Sequence, residues 1–227
     1  MKKVLTVLIM SAALMAPSVQ AEGLAVDASL DYSTEHYVRG LNYAEDALGV
    51  GLNGSYDLNW ATAFGSVYNV PNIGGDGAVN HTAFGLARGV DLGAFSFTGS
   101  LELQHHNAAI DSTEVGFGVT FDSLPIIGDF VDVGLTLWDN NDLDYNGIEL
   151  SVYGSTLEVP FVEGFGLTPF FELGEFDTYD YVKVGGTLGY DLGKVQPYLS
   201  TFWLESEDSP FGDEDGWTVQ TGLNFSF

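Results

Sequence analysis

The chain has 227 residues, with 32 Asp+Glu against 6 Lys+Arg, a formal net charge of −26 and no Cys. Such an acid excess argues against a nucleic-acid partner, whose phosphates require clustered Lys and Arg, and the missing Cys excludes a disulfide framework. The 16 Phe, 11 Tyr and 4 Trp exclude a disordered acidic tail.

Met1-Lys2-Lys3 is a short cationic start, Val4 to Ala16 is apolar, and Val19-Gln20-Ala21 offers small residues at cleavage positions. Together these predict a secretory signal peptide over 1–21 and a single mature domain over 22–227. Losing Lys2 and Lys3 leaves 4 basic residues against 32 acidic, a mature net charge of −28. The apolar stretch is shorter than the roughly 18 residues of a spanning helix, and no other window approaches that length, so a helical membrane protein is excluded. With no Cys to follow the signal, lipoprotein anchoring is excluded too.

The remaining chain reads as twelve segments of about ten residues alternating with period two, the length of a tilted membrane strand and the even count of a single-chain bacterial barrel. The first, Leu24 to Val38, sets Leu24, Val26, Ala28, Leu30 and Tyr32 against Asp27, Ser29, Asp31 and Ser33. The second, Leu48 to Tyr56, turns Val50 and Leu52 outward and Gly49 and Gly51 inward. In the third, Trp60 to Val70, Trp60 and Tyr68 share a face and are expected to mark the aromatic girdles around an apolar band about 25 Å tall. The fourth, Thr82 to Leu92, aligns Phe84, Leu86, Val90 and Leu92, with Arg88 outward where it can snorkel to headgroups. The fifth, Phe95 to His105, aligns Phe95, Phe97, Leu101 and Leu103. The sixth (Glu114 to Phe121) and seventh (Phe130 to Trp138) direct Val115, Phe117, Val119, Phe121, Val131, Val133, Leu135 and Leu137 to lipid. The eighth (Ile148 to Gly154), ninth (Leu167 to Leu173), tenth (Tyr181 to Tyr190) and eleventh (Val195 to Leu204) follow. Pro169 and Pro197 each remove a ladder donor.

The twelfth segment puts Trp217, Val219, Thr221, Leu223, Phe225 and Phe227 on one face. Ending on an outward aromatic resembles the C-terminal signal of Gram-negative outer-membrane barrels. It predicts an insertion signal (Trp217, Val219, Leu223, Phe225, Phe227) that pairs an exposed strand edge with the barrel-insertion machinery.

Connections alternate between mostly short turns and longer acidic loops, Arg39 to Ala47 and Glu205 to Asp215 among the latter. This asymmetry predicts both termini in the periplasm. The expected fold is therefore an all-β, closed antiparallel transmembrane β-barrel of about twelve strands in the Gram-negative outer membrane, with ten or fourteen as alternatives. An exported soluble sandwich or lipocalin-like barrel would alternate too.

The same parity assigns Asp27, Asp31, Glu35, Arg39, Glu102, Glu114, Asp132, Glu149, Glu172 and Lys183 to the lumen. Carboxylates dominate this set and bias conduction toward cations if the lumen is wet. The inward Gly116, Gly118, Gly185 and Gly189 leave room for water or neighbouring aromatics. Asp142 to Gly147 matches the first half of a calcium loop, but Tyr153 stands where the bidentate Glu belongs, so a turn is the better reading. His105 near the outer rim, with Ser112 or Asp111 close in sequence, suggests a rim lipase or protease, yet parity turns Ser112 inward and nothing orients the His.

Leu30 to Leu41, with its Tyr37-Val38-Arg39-Gly40, followed by Ala47 to Asp57 and Gly65 to Val70, resembles the opening of the TorF-type porin family of small Gram-negative outer-membrane barrels. Only Asn69-Val70 keeps that family's third-strand ending. The resemblance implies a pore of unassigned substrate. The expected function is passive diffusion of small solutes or ions, with no enzymatic activity, cofactor or metal. Expected partners are outer-membrane lipid, the insertion machinery and small solutes or cations. A non-conducting structural or surface-interaction barrel is the alternative.

Overall fold

Period-two alternation is realised as antiparallel strands that close on themselves. The computed structural model describes residues 23–38, 41–70, 79–93, 96–107, 112–123, 130–140, 145–159, 162–208 and 214–227. The expected leader, Arg39 and the first half of the calcium-like stretch lie outside the described residues. The strands are β1 (Leu24–Val38), β2 (Leu41–Asp57), β3 (Thr62–Val70), β4 (Val79–Asp91), β5 (Ser96–Asn107), β6 (Ser112–Ser123), β7 (Val131–Asn140), β8 (Tyr145–Gly154), β9 (Leu157–Glu158), β10 (Phe165–Phe176), β11 (Asp180–Tyr190), β12 (Val195–Glu207) and β13 (Glu214–Ser226).

Each strand is hydrogen-bonded to its neighbours around a ring, and β1 seals it against β13 from Asp27↔Ser226 to Ser33↔Gln220. Both β8 and β9 pair with β10, through Phe170↔Tyr153 and Leu167↔Leu157. The two-residue β9 therefore continues β8 beyond a break, where the Ser155 N–H donates to the Phe130 carbonyl at 2.7 Å. The ring counts twelve strands. Closure leaves no sheet edge, the condition for crossing hydrocarbon without helices.

Outward positions form an apolar surface whose cross-strand register is continuous. Leu86 faces Leu101, Leu101 faces Phe117, Phe117 faces Leu137 and Leu137 faces Ile148. These side chains are exposed rather than packed into a core, Phe117 at 56% and Leu101 at 53%. A greasy surface of this extent requires lipid around it. Leu101→Arg in this row is expected to cost about 2–4 kcal/mol of folding free energy in bilayers. Unfolding titration in lipid vesicles measures it, and a cost near zero would place the row outside hydrocarbon.

The inward face differs from a water-filled tube at one end. We call the end carrying Leu24 and Phe227 the turn end and the other the loop end. Towards the loop end, aromatic rings lie flat over inward glycines. A Cβ on Gly116 would meet the Trp138 ring at 2.4 Å, one on Gly147 the Phe176 ring at 1.9 Å, and one on Gly49 the Tyr68 hydroxyl at 1.8 Å. Only a hydrogen at these positions lets the rings approach the wall.

Three expectations need correction. Tyr68 points inward, not to an outer girdle, because Gly49 opens space for it and Asp31 accepts its hydroxyl proton; Trp60 lies in the turn before β3 and is 59% exposed. The expected loop Arg39 to Ala47 is largely strand, since β2 begins at Leu41 and pairs as far as Val38↔Leu41. A register shift between His36↔Ala44 and Tyr37↔Asn42 hid it, leaving Tyr43 as the extra residue of a bulge. Strands also run longer at the loop end than a bilayer needs, β2 reaching 17 residues.

Candidate functional site: the barrel interior

Leu41 lies on a strand whose ladder partners are β1 and β3. Yet it is 1% exposed and belongs to a buried cluster with Trp138, Phe176, Tyr179 and Tyr181, from the far side of the ring. The start of β2 at Leu41 therefore leans across the loop-end mouth. Tyr43 follows it inward and stacks on His106 with ring centroids 6.2 Å apart.

Beneath the start of β2 lies a cavity of about 320 Å³ whose lining includes Glu35, His36, Tyr37, His81, Glu102 and Lys183. A second, of about 530 Å³, opens toward the turn end among Ser29, Asn53, Thr168, Tyr198 and Asn224. Tyr68 and Gln220 line both. The Tyr68 hydroxyl and the Gln220 amide each donate to Asp31 Oδ1, at 2.5 and 3.2 Å. These three side chains form a waist between the cavities. The fixed phenol and amide satisfy a carboxylate that is only 3% exposed.

The other sequence-predicted carboxylates are mostly held by named donors. Glu172 accepts from Lys183 at 3.0 Å and from the Tyr153 hydroxyl at 2.7 Å. Glu149 accepts from the Tyr181 hydroxyl at 2.7 Å, and Glu102 from Gln104 at 2.8 Å. Lys183 also sits over the Phe202 ring at 4.8 Å, so the ammonium is shared between a carboxylate and an aromatic face. Asp27 shares Asp31's face of β1, and both Asp27 and Asp132 are exposed towards the turn end.

Glu114, like Asp31, departs from the expected wet lumen. It is 2% exposed, contacts His106 Nε2 at 3.1 Å and accepts from Asn140 Nδ2 at 2.9 Å. His106 Nδ1 lies 2.5 Å from His81 Nδ1, and His81 Nε2 lies 3.1 Å from His36 Nε2. Three of the four histidines, on β1, β4 and β5, thus join in one line that ends on Glu114 of β6. Parity in the fourth and fifth segments turns His81 and His106 inward and could have found that pair. His36 was hidden by the bulge.

His105 is outward and exposed, with Nδ1 3.2 Å from the Thr113 hydroxyl. Ser112 is buried on the other face, so the two sides of a rim lipase site are not brought together. Trp217 and Val219 are exposed on the outer face of β13, at 68% and 41%. Leu223 lies on the same face, opposite Leu30 and Pro197, and Phe225 opposite Ala28.

No protein-family model and no curated protein matches the chain. Solved structures do match its fold. A KdgM porin superposes with a TM-score of 0.56 at 11% identity, over 89% of this chain and 99% of that one, and has also been solved in complex with disordered oligogalacturonate. A NanC porin gives 0.58 at 12%, over 89% and 100%. An outer membrane channel from Pseudomonas putida F1 gives 0.54 at 11%, over 92% and 97%. Ring closure, strand number and these likenesses agree: the chain has the fold of these porins, a closed twelve-stranded antiparallel β-barrel.

Proposed function

We propose that the chain is a passive channel for small solutes or ions that favours cations. The observation that carries this reading is the charge of the interior. Asp27, Asp31, Glu102, Asp132, Glu149 and Glu172 line it, and Lys183, the inward cation among the described residues, is tied to Glu172. Carboxylates in a low-dielectric tube concentrate cations and repel anions. A polyanion such as the oligogalacturonate of the KdgM complex would be excluded by such a wall. The TorF-type opening motif adds a family-level reason to read a pore.

Purified protein in planar bilayers is expected to give discrete conductance steps and, under a KCl gradient, a reversal potential of cation sign. Glu149→Lys with Glu172→Lys should reduce that preference. A silent membrane would favour the second reading, a non-conducting envelope barrel, which the leaning of Leu41 across the mouth supports. We also infer cleavage after Ala21, periplasmic termini, and an insertion signal formed by Trp217, Val219, Leu223, Phe225 and Phe227. Arg39 would add a second cation to the selectivity set. An enzymatic role draws no support from His105, which faces away from Ser112.

A further inference from the structure

We propose that the turn-end cavity is a binding site for a neutral, polyhydroxylated solute of saccharide size. The proposal deepens the channel reading, on which passage of the solute rests, but binding itself is measured without any current.

Strand register sorts much of the cavity wall into three rows running around the barrel. Nearest the turn end, Gln196 faces Asn224 and Asn224 faces Ser29. In the next row Gly189 faces Tyr198, Tyr198 faces Gly222 and Gly222 faces Asp31. Closer to the waist, Thr168 faces Thr187, Thr187 faces Ser200 and Ser200 faces Gln220. Hydroxyl and amide side chains therefore flank, on both sides, a row in which a phenol ring stands between two glycines.

Those glycines decide how the ring sits. A Cβ on Gly222 would meet Tyr198 Cε1 at 2.9 Å, so bare backbone lets the ring lie against the wall. A Cβ on Gly189, on its other side, would meet nothing within 4 Å. Space remains beside the ring, in a cavity of about 530 Å³. Small-molecule sites span roughly 300–1,000 Å³.

The flanking rows supply both kinds of hydrogen-bonding group. Gln196 and Asn224 each bring an amide that donates and accepts, and a hydroxyl keeps acceptor lone pairs even where it donates, as Thr187 does to Ser200 at 3.0 Å.

Charge tells against other solute classes. No Lys, Arg or His stands among the described lining residues, so an anion would enter without a counter-ion. The lining carboxylates are engaged: Asp31 accepts from Tyr68 and Gln220, and Asp191 from the Gly193 N–H at 2.7 Å. A bare metal ion would have to displace these donors. Asp27, nearer the turn end on the face of β1 that carries Ser29, adds a negative charge at the rim and repels anions further. An apolar solute would strip water from the hydroxyls and amides and return no hydrogen bond. A saccharide avoids each cost, because its hydroxyls bond to the flanking rows while a C–H face covers the Tyr198 ring.

The loop-end cavity has a different chemistry, with Glu35, His36, Glu102 and Lys183 in its lining. The waist thus separates a charged chamber from one walled mainly by hydroxyls, amides and glycines, and the neutral solute belongs to the latter.

Maltose is the probe, and glucuronate its anionic counterpart. With the protein in nanodiscs, saturation-transfer NMR and equilibrium titration should show saturable maltose binding that is insensitive to salt and not competed by glucuronate. Gly189→Leu, whose side chain enters the open space, should abolish binding in a barrel that still shows the heat-dependent gel shift of the folded state. Tyr198→Ala should weaken binding several-fold, and Asn224→Leu does the same service if Gly189→Leu fails to fold.

No saturable maltose binding by the wild type, equal binding of glucuronate, or binding untouched by all the folded variants would each overturn the site. In bilayers, maltose should reduce the wild-type ion current in a saturable manner. Maltose binding by a protein that passes no current would instead sink the channel reading and leave the site standing, and current without maltose binding would do the reverse.

Discussion

Tyr68→Ala is expected to raise single-channel conductance several-fold. The phenol closes the waist from one side by lying across Gly49 and donating to Asp31, so its removal merges the two interior cavities that it lines. The freed carboxylate gains water in place of the phenol, and its charge then acts on the permeating ion. Cation preference should therefore hold or increase while conductance rises. Tyr68→Phe separates the two contributions, since it keeps the ring and removes only the donor. Conductance steps for the three proteins at one voltage and salt concentration decide the matter. If Tyr68→Ala conducts no better than wild type, the narrowest point lies elsewhere, and the leaning start of β2 is the first place to look.

The second large effect concerns stability. His106→Leu leaves Glu114 buried beside a hydrocarbon side chain, with the Asn140 amide still donating to it. Breaking a buried pair from one side costs about 3–5 kcal/mol, because the abandoned charge stays desolvated. Removing both partners is a different matter. His106→Leu with Glu114→Leu should recover most of that loss, since apolar replacements of similar volume are often neutral. Urea midpoints followed by the folded-to-unfolded gel shift in detergent measure all three proteins. Equal losses in the single and double variants would mean that shape at this position, rather than charge, is what the interior requires.

How far these features can be read from the chain depends on which physical constraint set them. Strand existence and facing follow from the requirement that one side meet hydrocarbon, so the row from Leu86 to Ile148 is visible in the alternation of the sequence. The third strand shows where that signal fails. Phe64 and Tyr68 on one face and Val67 on the other are all compatible with lipid, and what turns the aromatics inward is Gly49 and Gly85 on neighbouring strands. That is cross-strand information, invisible to a single segment. Likewise a bulge near His36 breaks the period and disguises strand as loop. The carboxylates were legible as inward positions, but their partners were not. Glu172 meets Lys183 and Tyr153 through register alone, and Glu114 is buried against His106 and Asn140, which reach it from β5 and β7.

The ladder that joins β1 to β13 stops at Ser33 and Gln220, although both strands continue beyond it. Past that point the two are fastened by side chains: Thr34 accepts from the Val219 N–H at 3.1 Å, and Glu35 accepts from Thr218 at 2.9 Å. The cylinder is therefore zipped along most of its flank but only buttoned near one rim. Under lateral load that rim is the weakest stitch, and the notch it opens would face the membrane instead of the solvent above.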